Sequence, residues 1–387
     1  MAESGPDPTG AGSDPIPINP GGLVDPDHLV GRQEDLASVI DTLERSHGVA
    51  LTGERRHGKT AFSRGVEQGA HARGWTVITQ SLEGTRSADE VMAVLARVLV
   101  AALPSMARAT AWLKSRAELK AGPVSIPRTT LTLDDLLNEA CGHASRVLLI
   151  LDELPICARE IERSAPGAGL AVLHTLRRSR YENDPKLTML CLGSIGFHHV
   201  VPHLDGSVSD LDKHPLMPLT PPFAAELAAR LVRSTDIPAT IQTALAPAMA
   251  VASEGVPYYL HHLARDCQRR HARGQTLTGD APAQLVTEAI ESPDNTWDLK
   301  HYVTRVPVYY PDAAVAAAAV LDVIAAQPCD LGVLRNALDA DPRDFSDVDL
   351  PGIVVRLEQD HYILRDGTGT RRFRSDIVRR AWLRWRT

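Results

Sequence analysis

The chain has 387 residues, of which 44% are hydrophobic and 23% are charged, and its net charge is −7. This composition is typical of a globular protein with two or three domains, and the charge argues against a polyanion binder that acts through bulk charge. The five cysteines form no C-x-x-C pair, no apolar run reaches the roughly 18 residues of a membrane span, and the N-terminus lacks a signal-peptide pattern. We therefore predict a cytoplasmic protein with reduced thiols, no structural zinc site and no membrane contact.

Residues 1–25 are rich in proline, glycine, serine and aspartate, which predicts a disordered tail. Strand and helix patterns alternate from residue 26 to residue 214, and this alternation indicates an α/β core with a parallel sheet covered on both faces. The predicted elements are strands at 49–52, 75–81, 147–151 and 187–192, and helices at 61–67, 88–100 after a Ser87 cap, 132–137 after Thr130 or Thr132, and 170–181. Residues 104–132 are predicted to be an irregular insertion.

Beyond residue 215 the strand pattern stops. Residues 215–310 are predicted to be a helical lid, in which Gly255 and Pro257 act as helix breakers. Residues 311–387 then show three helical segments, a hairpin that turns at D-G-T-G, and a final basic segment. The order of three helices followed by a hairpin is typical of a winged-helix domain.

Residues 53–60 read G-E-R-R-H-G-K-T, which matches the phosphate-binding loop pattern G-x-x-x-x-G-K-[ST]. Gly58 lets the backbone approach a phosphate, Lys59 supplies positive charge to the β- and γ-phosphates, and the Thr60 hydroxyl suits Mg²⁺. A predicted strand precedes the loop and a predicted helix follows it, which is the context that the motif needs. The predicted nucleotide contacts in this segment are Gly53, Glu54, Arg55, Arg56, His57, Gly58, Lys59, Thr60 and Ala61.

The apolar strand at residues 147–151 ends in Asp152 and Glu153. Acidic residues at the carboxyl end of a buried strand face the ligand crevice of an open α/β sheet. We predict that Asp152 holds Mg²⁺ opposite Thr60, and that Glu153 polarises the water that attacks the γ-phosphate. The chain has no N-K-x-D segment of the kind that reads guanine, so ATP is favoured over GTP.

Residues 30–36 read V-G-R-Q-E-D-L, and this segment resembles the box that opens AAA+ and STAND-type ATPases, including Orc/Cdc6-like proteins and archaeal-type ATPases. Three further segments resemble the archaeal branch: the G-S pair that contains Ser194, the G-V-P segment that contains Pro257, and the basic segment after residue 372. The resemblance covers most of the chain, from about residue 27 to its end.

The resemblance implies a P-loop sheet of strand order 5-1-4-3-2, with ATP held between core and lid and with nucleotide-dependent movement of the winged helix. It places Val30, Gly31 and Arg32 near the adenine, Pro257 and Tyr258 in the lid wall, and Ser194 where the γ-phosphate is sensed. Lys59, Glu153 and Ser194 are then the predicted catalytic set, with Thr60 and Asp152 on the metal.

Other candidates carry weaker signals. The helix at 170–181 carries Arg177, Arg178 and Arg180, which we interpret as a solvated basic face in preference to an arginine that acts on a neighbouring subunit. Arg265 could reach the γ-phosphate from the lid, although this branch often lacks such an arginine. His198, His199 and His203 have no acidic or thiol partner at ligand spacing, so we predict loop histidines without a metal.

The winged-helix segment leaves its partner open. The helix that would enter a DNA groove is rich in acidic residues, which phosphate repels, whereas the C-terminal arginines could contact a nucleic-acid backbone or dock on the ATPase core. Those arginines are Arg371, Arg372, Arg374, Arg379, Arg380, Arg384 and Arg386. We expect a slow ATPase that acts as a molecular switch, with a protein partner and nucleotide-dependent self-association as expectations. A DNA-binding loader or regulator, and a scaffold with a purely structural nucleotide, remain the alternatives.

Overall fold

The computed structural model describes residues 14–102, 133–201 and 206–386. The N-terminal part contains strands β1 (Gly48–Thr52), β2 (Thr76–Ser81), β3 (Val147–Asp152), β4 (Leu187–Leu192) and β5 (Asp212–Pro215). The helices between these strands are α1 (Gln33–Arg45), α2 (Lys59–Ala72), α3 (Ala88–Ala102), α4 (Leu133–His143), α5 (Leu154–Ser164) and α6 (Ala168–Glu182). A short 3-10 turn, Phe197–His199, follows β4.

The second half of the chain is helical. The lid region contains α7 (Pro221–Arg233), α8 (Ala239–Ala252), α9 (Pro257–Ala272), α10 (Ala281–Glu291), α11 (His301–Thr304) and α12 (Val306–Tyr309). The C-terminal unit, residues 314–386, contains α13 (Ala314–Ala326), α14 (Leu331–Asp339), α15 (Leu350–Gln359), the hairpin β6 (Ile363–Arg365) and β7 (Arg371–Phe373), and α16 (Asp376–Trp385). Three of these four helices, α14, α15 and α16, begin at side-chain acceptors that cap free N–H groups: Asp330, Asp349 and Ser375.

The five core strands form one parallel sheet in the order β2-β3-β4-β1-β5. Read from the other edge this is 5-1-4-3-2, so the predicted fold class and strand order are confirmed. β3 and β4 are central strands with nearly every residue buried, because helices cover both of their faces. The register pairs Asp152 with Leu192 and with Ser81, so the carboxyl ends of these strands meet at one edge.

The core helices lie on the two faces of the sheet. Residues from α3 to α6 bury one face, and residues from α1 and α2 bury the other. Ser87 caps α3 as predicted, since its hydroxyl accepts from the Glu90 N–H at 3.2 Å. The predicted insertion and the proposed caps Thr130 and Thr132 lie outside the described residues.

The lid helices and the C-terminal unit share one hydrophobic core, which runs from α7 to α16. The described part of the predicted disordered tail joins it, because Ile16 is 1% exposed and its N–H donates to the Arg230 carbonyl at 3.1 Å. Ile18 is partly buried and packs against the same core, and the surrounding proline, glycine and aspartate obscure both apolar residues in the sequence pattern. A search of the described residues finds no helix with the length and hydropathy of a membrane span.

Candidate nucleotide site

The phosphate-binding loop connects the end of β1 to the N-terminus of α2. Three loop residues have positive φ: Gly53 at 142°, Arg56 at 76° and Gly58 at 87°. A Cβ on Gly53 would lie 2.7 Å from the Leu216 carbonyl oxygen, so both the space and the backbone angle require glycine there. Gly58 is the N-cap of α2, and the free N–H groups of this helix therefore face the loop, where they suit an anion.

Lys59 lies at the first position of α2 and turns back over the loop. Its Nζ donates to the carbonyls of Gly53 at 2.7 Å and Glu54 at 3.0 Å. Burial lowers the pKa of Lys59 to about 8. The negative charges of Glu153 and Glu54 raise this pKa and so offset part of the effect of burial. The ammonium is thus a desolvated cation in the loop, which a phosphate group would stabilise.

Thr60 and Asp152 meet across the sheet edge, as predicted for the two metal ligands. The Thr60 Oγ1 lies 3.4 Å from the Asp152 Oδ2, although the residues are 92 positions apart. Burial, followed by the charge of Glu153, raises the pKa of Asp152. A hydroxyl and a carboxylate oxygen this close are the donor types that Mg²⁺ uses when it also keeps several waters.

Glu153 follows β3 directly and is held by the end of β4. Its Oε2 accepts two hydrogen bonds from Ser194, one from the N–H at 2.8 Å and one from the Oγ at 2.9 Å. Glu153 has a φ of 59°, a left-handed conformation that is uncommon for a residue with a side chain. Strained residues of this kind cluster at functional sites, and here the neighbouring strand keeps the carboxylate turned toward Ser194.

These groups open into one cavity of about 790 Å³ between the core and the lid. That size is within the range of small-molecule sites. The predicted site residues in its lining are Val30, Arg32, Arg55, Arg56, His57, Gly58, Lys59, Thr60, Ala61, Asp152, Glu153, Ser194, Pro257 and Tyr258. Gly53 and Glu54 instead line a second cavity on the other side of the loop.

The end of the first cavity away from the loop is formed by the V-G-R box, the lid and the N-terminal segment. Arg32 donates to the Met217 carbonyl at 2.6 Å, which anchors the box to the chain that enters the lid. Gly31 has a φ of 65°, and a Cβ there would lie 2.3 Å from the Phe223 ring. Gly31 therefore packs against α7. The Asn19 N–H donates to the His261 Nδ1 at 3.2 Å, so the predicted tail closes this end of the cavity.

Two loop arginines reach from the phosphate loop to the lid. The Arg56 guanidinium stacks 4.2 Å from the Tyr258 ring centre, donates to the Trp297 carbonyl at 2.5 Å, and pairs with Asp298. An Arg55 Nη1 lies 3.2 Å from the His301 Nε2. Arg55 and Arg56, which occupy variable positions of the motif, thus connect the core to the lid. The motif pattern alone does not predict this role.

The structure adds Arg305, which the sequence analysis missed. Arg305 lies between α11 and α12, is 4% exposed, and lines both cavities. Its Nε donates to the Tyr362 hydroxyl at 2.5 Å, and one of its Nη atoms is buried with no hydrogen-bond partner. Among the described residues, no carboxylate lies within ion-pair distance of Arg305. A buried cation with a free donor beside a phosphate loop is suited to an anionic ligand.

Two buried groups flank the Lys59 side of the loop. Glu54 is 6% exposed, and burial raises its pKa against the nearby charge of Arg305. His57 is 3% exposed and lies 3.2 Å from the Leu216 carbonyl, and burial lowers its pKa to about 3. His57 is therefore neutral at physiological pH, and because the Arg55 and Arg56 side chains are directed to the lid, Lys59 is the loop cation that lies over the loop carbonyls.

The second cavity, of about 810 Å³, separates the loop from the C-terminal unit. One face of α15 lines it, including Pro351, Val355 and Arg356, and His361 lies at its end with a φ of 62°. The candidate helix for a DNA groove, α15, therefore faces the α/β core in this conformation. The acidic side chain at its C-cap, Asp360, is directed to the same side.

Several candidate residues have other partners. The interpretation of Arg180 as part of a solvated face is wrong: it is 2% exposed and donates twice to Asp210, at 2.8 Å in each case. Arg265 donates to its neighbour Asp266 at 2.9 Å. The histidine prediction also needs correction, because Asp360 of the C-terminal unit lies 3.0 Å from His198 and 2.8 Å from His199. His203 lies outside the described residues.

The C-terminal arginines largely find partners within the chain. Arg371 pairs with Glu358 at 3.3 Å, Arg379 with Asp376 at 2.8 Å, and Arg386 with Asp322 at 3.1 Å. Arg380 donates to the Thr287 hydroxyl of α10 at 2.7 Å. These contacts stabilise the C-terminal unit and its junction with the lid, and none of the four is an ion pair with the α/β core.

Comparison with solved structures gives the same architecture. The Walker-type ATPase PABY2304 of Pyrococcus abyssi superposes with a TM-score of 0.63 at 16% identity, over 92% of this chain and 96% of that one. The chain has the fold of a P-loop ATPase. The Aeropyrum pernix ORC2 protein, in its ADPNP and ADP complexes, superposes with a TM-score of 0.56 at 13% identity, over 95% and 97% of the two chains. No protein-family profile and no curated protein matches the sequence.

Proposed function

We propose that this P-loop protein binds ATP with Mg²⁺, hydrolyses it slowly, and uses the nucleotide state to move its lid and C-terminal unit. The observation that carries the proposal is the convergence at one sheet edge of the Thr60–Asp152 pair and the Ser194–Glu153 hydrogen bonds. Two side chains that can bind a metal ion and a carboxylate base, all beside a phosphate loop, are the parts that ATP hydrolysis needs. The domain boundaries at about residues 26, 215 and 311 belong to the same proposal.

The roles follow from position. The N-terminus of α2 and Lys59 bind the β- and γ-phosphates, while Thr60 and Asp152 hold Mg²⁺, which neutralises phosphate charge when bound. For Lys59 to reach a phosphate, its ammonium must leave the Gly53 and Glu54 carbonyls. That exchange replaces neutral acceptors by charged ones, which favours nucleotide binding.

Glu153 is the proposed general base, and Ser194 regulates it. In this conformation both Ser194 donors occupy the Glu153 Oε2, so the carboxylate is stabilised away from the role of base. Hydrolysis is then expected to speed up when Ser194 releases Glu153, for instance when the serine donates to the γ-phosphate. This restraint on Glu153 predicts slow basal turnover and gives the switch a lasting ATP-bound state.

Arg305 connects the phosphates to the rest of the molecule. Its guanidinium stacks on Tyr302 of α11 at 4.6 Å and on Tyr362, next to β6, at 4.3 Å. A guanidinium drawn toward a γ-phosphate would pull on both aromatic rings. Because Tyr302 belongs to the lid and Tyr362 to the C-terminal unit, one phosphate contact would act on both regions.

DNA loading is less well supported than the switch. The face of α15 is turned to the core, and four of the C-terminal arginines have partners within the chain. Both features would have to change before the C-terminal unit could enter a DNA groove. A scaffold with a purely structural nucleotide does not need Glu153, since a general base serves only hydrolysis.

The test is ATP turnover by the wild type and by Glu153→Gln, each with and without duplex DNA. We expect Glu153→Gln to bind ATP normally and to lose turnover by about 100-fold or more, because glutamine cannot accept a proton. Glu139→Gln, which changes an exposed acid on α4, is the matched control and should be unaffected. Equal turnover in Glu153→Gln and wild type would refute the assignment of the base, and stimulation by DNA would favour the loader.

A further inference from the structure

The turn after β4 and the end of α15 bring three metal-ligand side chains together. The His199 Nε2 lies 2.8 Å from Asp360 Oδ2 and 3.0 Å from Oδ1, and the His198 Nε2 lies 3.0 Å from Oδ1. The donor atoms of the three residues all lie within 4.8 Å of one another. His199 and Asp360 are 161 positions apart in the sequence, so only the fold assembles this His198–His199–Asp360 cluster.

The cluster is shielded from solvent. The His199 side chain is 3% exposed, Asp360 5% and His198 17%. The Tyr310 hydroxyl donates to Asp360 Oδ2, the same oxygen that His199 contacts, and this bond helps to fix the carboxylate. Such an outer hydrogen bond to a ligating carboxylate is a regular feature of protein metal sites.

Hydrogen bonding accounts for His199 but not for His198. The His198 Nε2 is buried and lies at ion-pair distance from Asp360 Oδ1, 3.0 Å, but is not aligned for a good hydrogen bond with it. The two nitrogens belong to rings 4.4 Å apart, tilted by 38°, and both lie beside the same carboxylate. A cation held between the three groups would give the second imidazole nitrogen a partner and would offset the buried negative charge.

Gly196 shapes the position of the His198 ring. A Cβ at Gly196 would lie 2.5 Å from the His198 Nδ1, so the ring packs directly over the glycine. The φ of Gly196 is −83°, which any residue can adopt. The absence of a side chain at residue 196 therefore serves the placement of the His198 ring and not the backbone.

We propose that His198, His199 and Asp360 bind a divalent transition-metal cation, with Zn²⁺ the best fit. Two imidazole nitrogens and one carboxylate oxygen are the ligand types of Zn²⁺ and its neighbours, whereas Mg²⁺ and Ca²⁺ prefer oxygen alone. Ligands at zinc distances in a tetrahedron are about 3.3 Å apart, so the observed separations of 2.8 and 3.0 Å need only a small expansion. The three ligands leave a fourth position for water.

A cation here would connect two regions that the nucleotide also controls. The two histidines follow Ser194 closely, and Asp360 caps α15 next to His361. A bound metal would therefore hold the C-terminal unit against the core independently of ATP. The proposal goes beyond the proposed ATPase, because metal binding at this cluster needs neither nucleotide nor turnover.

The experiment titrates Zn²⁺ into chelator-treated full-length protein against a chromophoric chelator, without nucleotide and with excess Mg²⁺ to occupy oxygen sites. We expect one tight site per chain, and visible absorption of a four-coordinate ion when Co²⁺ replaces Zn²⁺. His199→Ala and Asp360→Asn should weaken binding by about 100-fold, and Gly196→Ala by about tenfold through displacement of His198. His143→Ala, which removes an exposed helix histidine, should bind like the wild type.

Wild-type protein without saturable Zn²⁺ binding, or cluster variants that bind as tightly as His143→Ala, would overturn the proposal. Circular dichroism and ATP binding report whether each variant is folded. Gly196→Ala and His198→Ala leave the Asp360–His199 and Asp360–Tyr310 contacts in place, so they test the site even if Asp360→Asn is unstable. Unchanged binding in both would show that the three side chains form only a hydrogen-bonded contact.

Discussion

The two sides of the nucleotide cavity are held in different ways. On the core side, Thr60, Asp152, Glu153 and Ser194 stand at the ends of strands or at the first turn of α2, and the hydrogen-bonded sheet fixes their separations. On the opposite side, the lid and C-terminal unit reach the loop through single long side chains such as Arg305, braced by aromatic rings. The first side is preorganised by the sheet, and the proposed nucleotide switch requires the second side to move.

The largest effect is expected at Lys59, on the core side of the cavity. Lys59→Ala removes the buried cation that we assign to the phosphates, and we expect ATP affinity to fall by about 100-fold or more, as for a desolvated charge-assisted contact. Lys300→Ala, an exposed lysine above Trp385, is the control. Calorimetry with ATP and Mg²⁺ measures both. Unchanged ATP affinity in Lys59→Ala would show that Lys59 does not bind the phosphates as proposed.

Arg305 tests the opposite side of the cavity, which the lid and C-terminal unit form. Arg305→Met keeps the length and packing of the side chain but removes its charge, and we expect affinity for ATP to fall by about tenfold while affinity for ADP changes little, since the proposed contact is to the γ-phosphate. Arg305→Lys should recover only part of the loss, because an ammonium lacks the planar fork that Tyr362 orients.

The control for Arg305 is Arg372→Met, an exposed arginine on β7. Equal losses for ATP and ADP would show that Arg305 acts on the fold of the cavity as a whole. In that case the lid side of the cavity would not respond to the γ-phosphate through Arg305 as proposed.

A smaller effect is expected from pH. The pKa of Lys59 is lowered to about 8 by burial, and a bound phosphate would raise it again. Binding is then coupled to proton uptake: ATP affinity is constant well below pH 8, about twofold lower at pH 8, and falls by up to tenfold per unit above it. Calorimetry in two buffers of different ionisation enthalpy detects the proton. Constant affinity to pH 9 would show that Lys59 is not the titrating group.

Local sequence patterns predicted the core side of the cavity well. The glycine positions, the strand that precedes the loop and the acids that end β3 are each encoded within a few residues, and the sheet brings them together once its order is known. The predicted strand order is confirmed, and Thr60 does meet Asp152.

The opposite side depends on contacts between distant residues, which no local sequence pattern encodes. Arg305 has no motif, and its importance follows from burial between two aromatic rings of different regions. Asp360 was not recognised as the partner of His199 because 161 residues separate them. Arg180 was misread because one helix face cannot reveal the buried aspartate that pairs with it. A pattern of arginine and tyrosine near residues 302–310 was the available signal for Arg305.

The most direct test of the switch is a distance between the two sides in different nucleotide states. Cysteines placed at Gly142 on α4 and Gly367 in the hairpin turn have open space for a side chain, and the five native cysteines are buried, so spin labels should attach selectively. Pulsed dipolar spectroscopy then measures the label separation with ADP and with a non-hydrolysable ATP analogue. We expect two distinct distance distributions, and Arg305→Met should shift the analogue-bound distribution toward that of ADP. The same distribution in both nucleotide states, with nucleotide binding verified, would contradict the proposed switch.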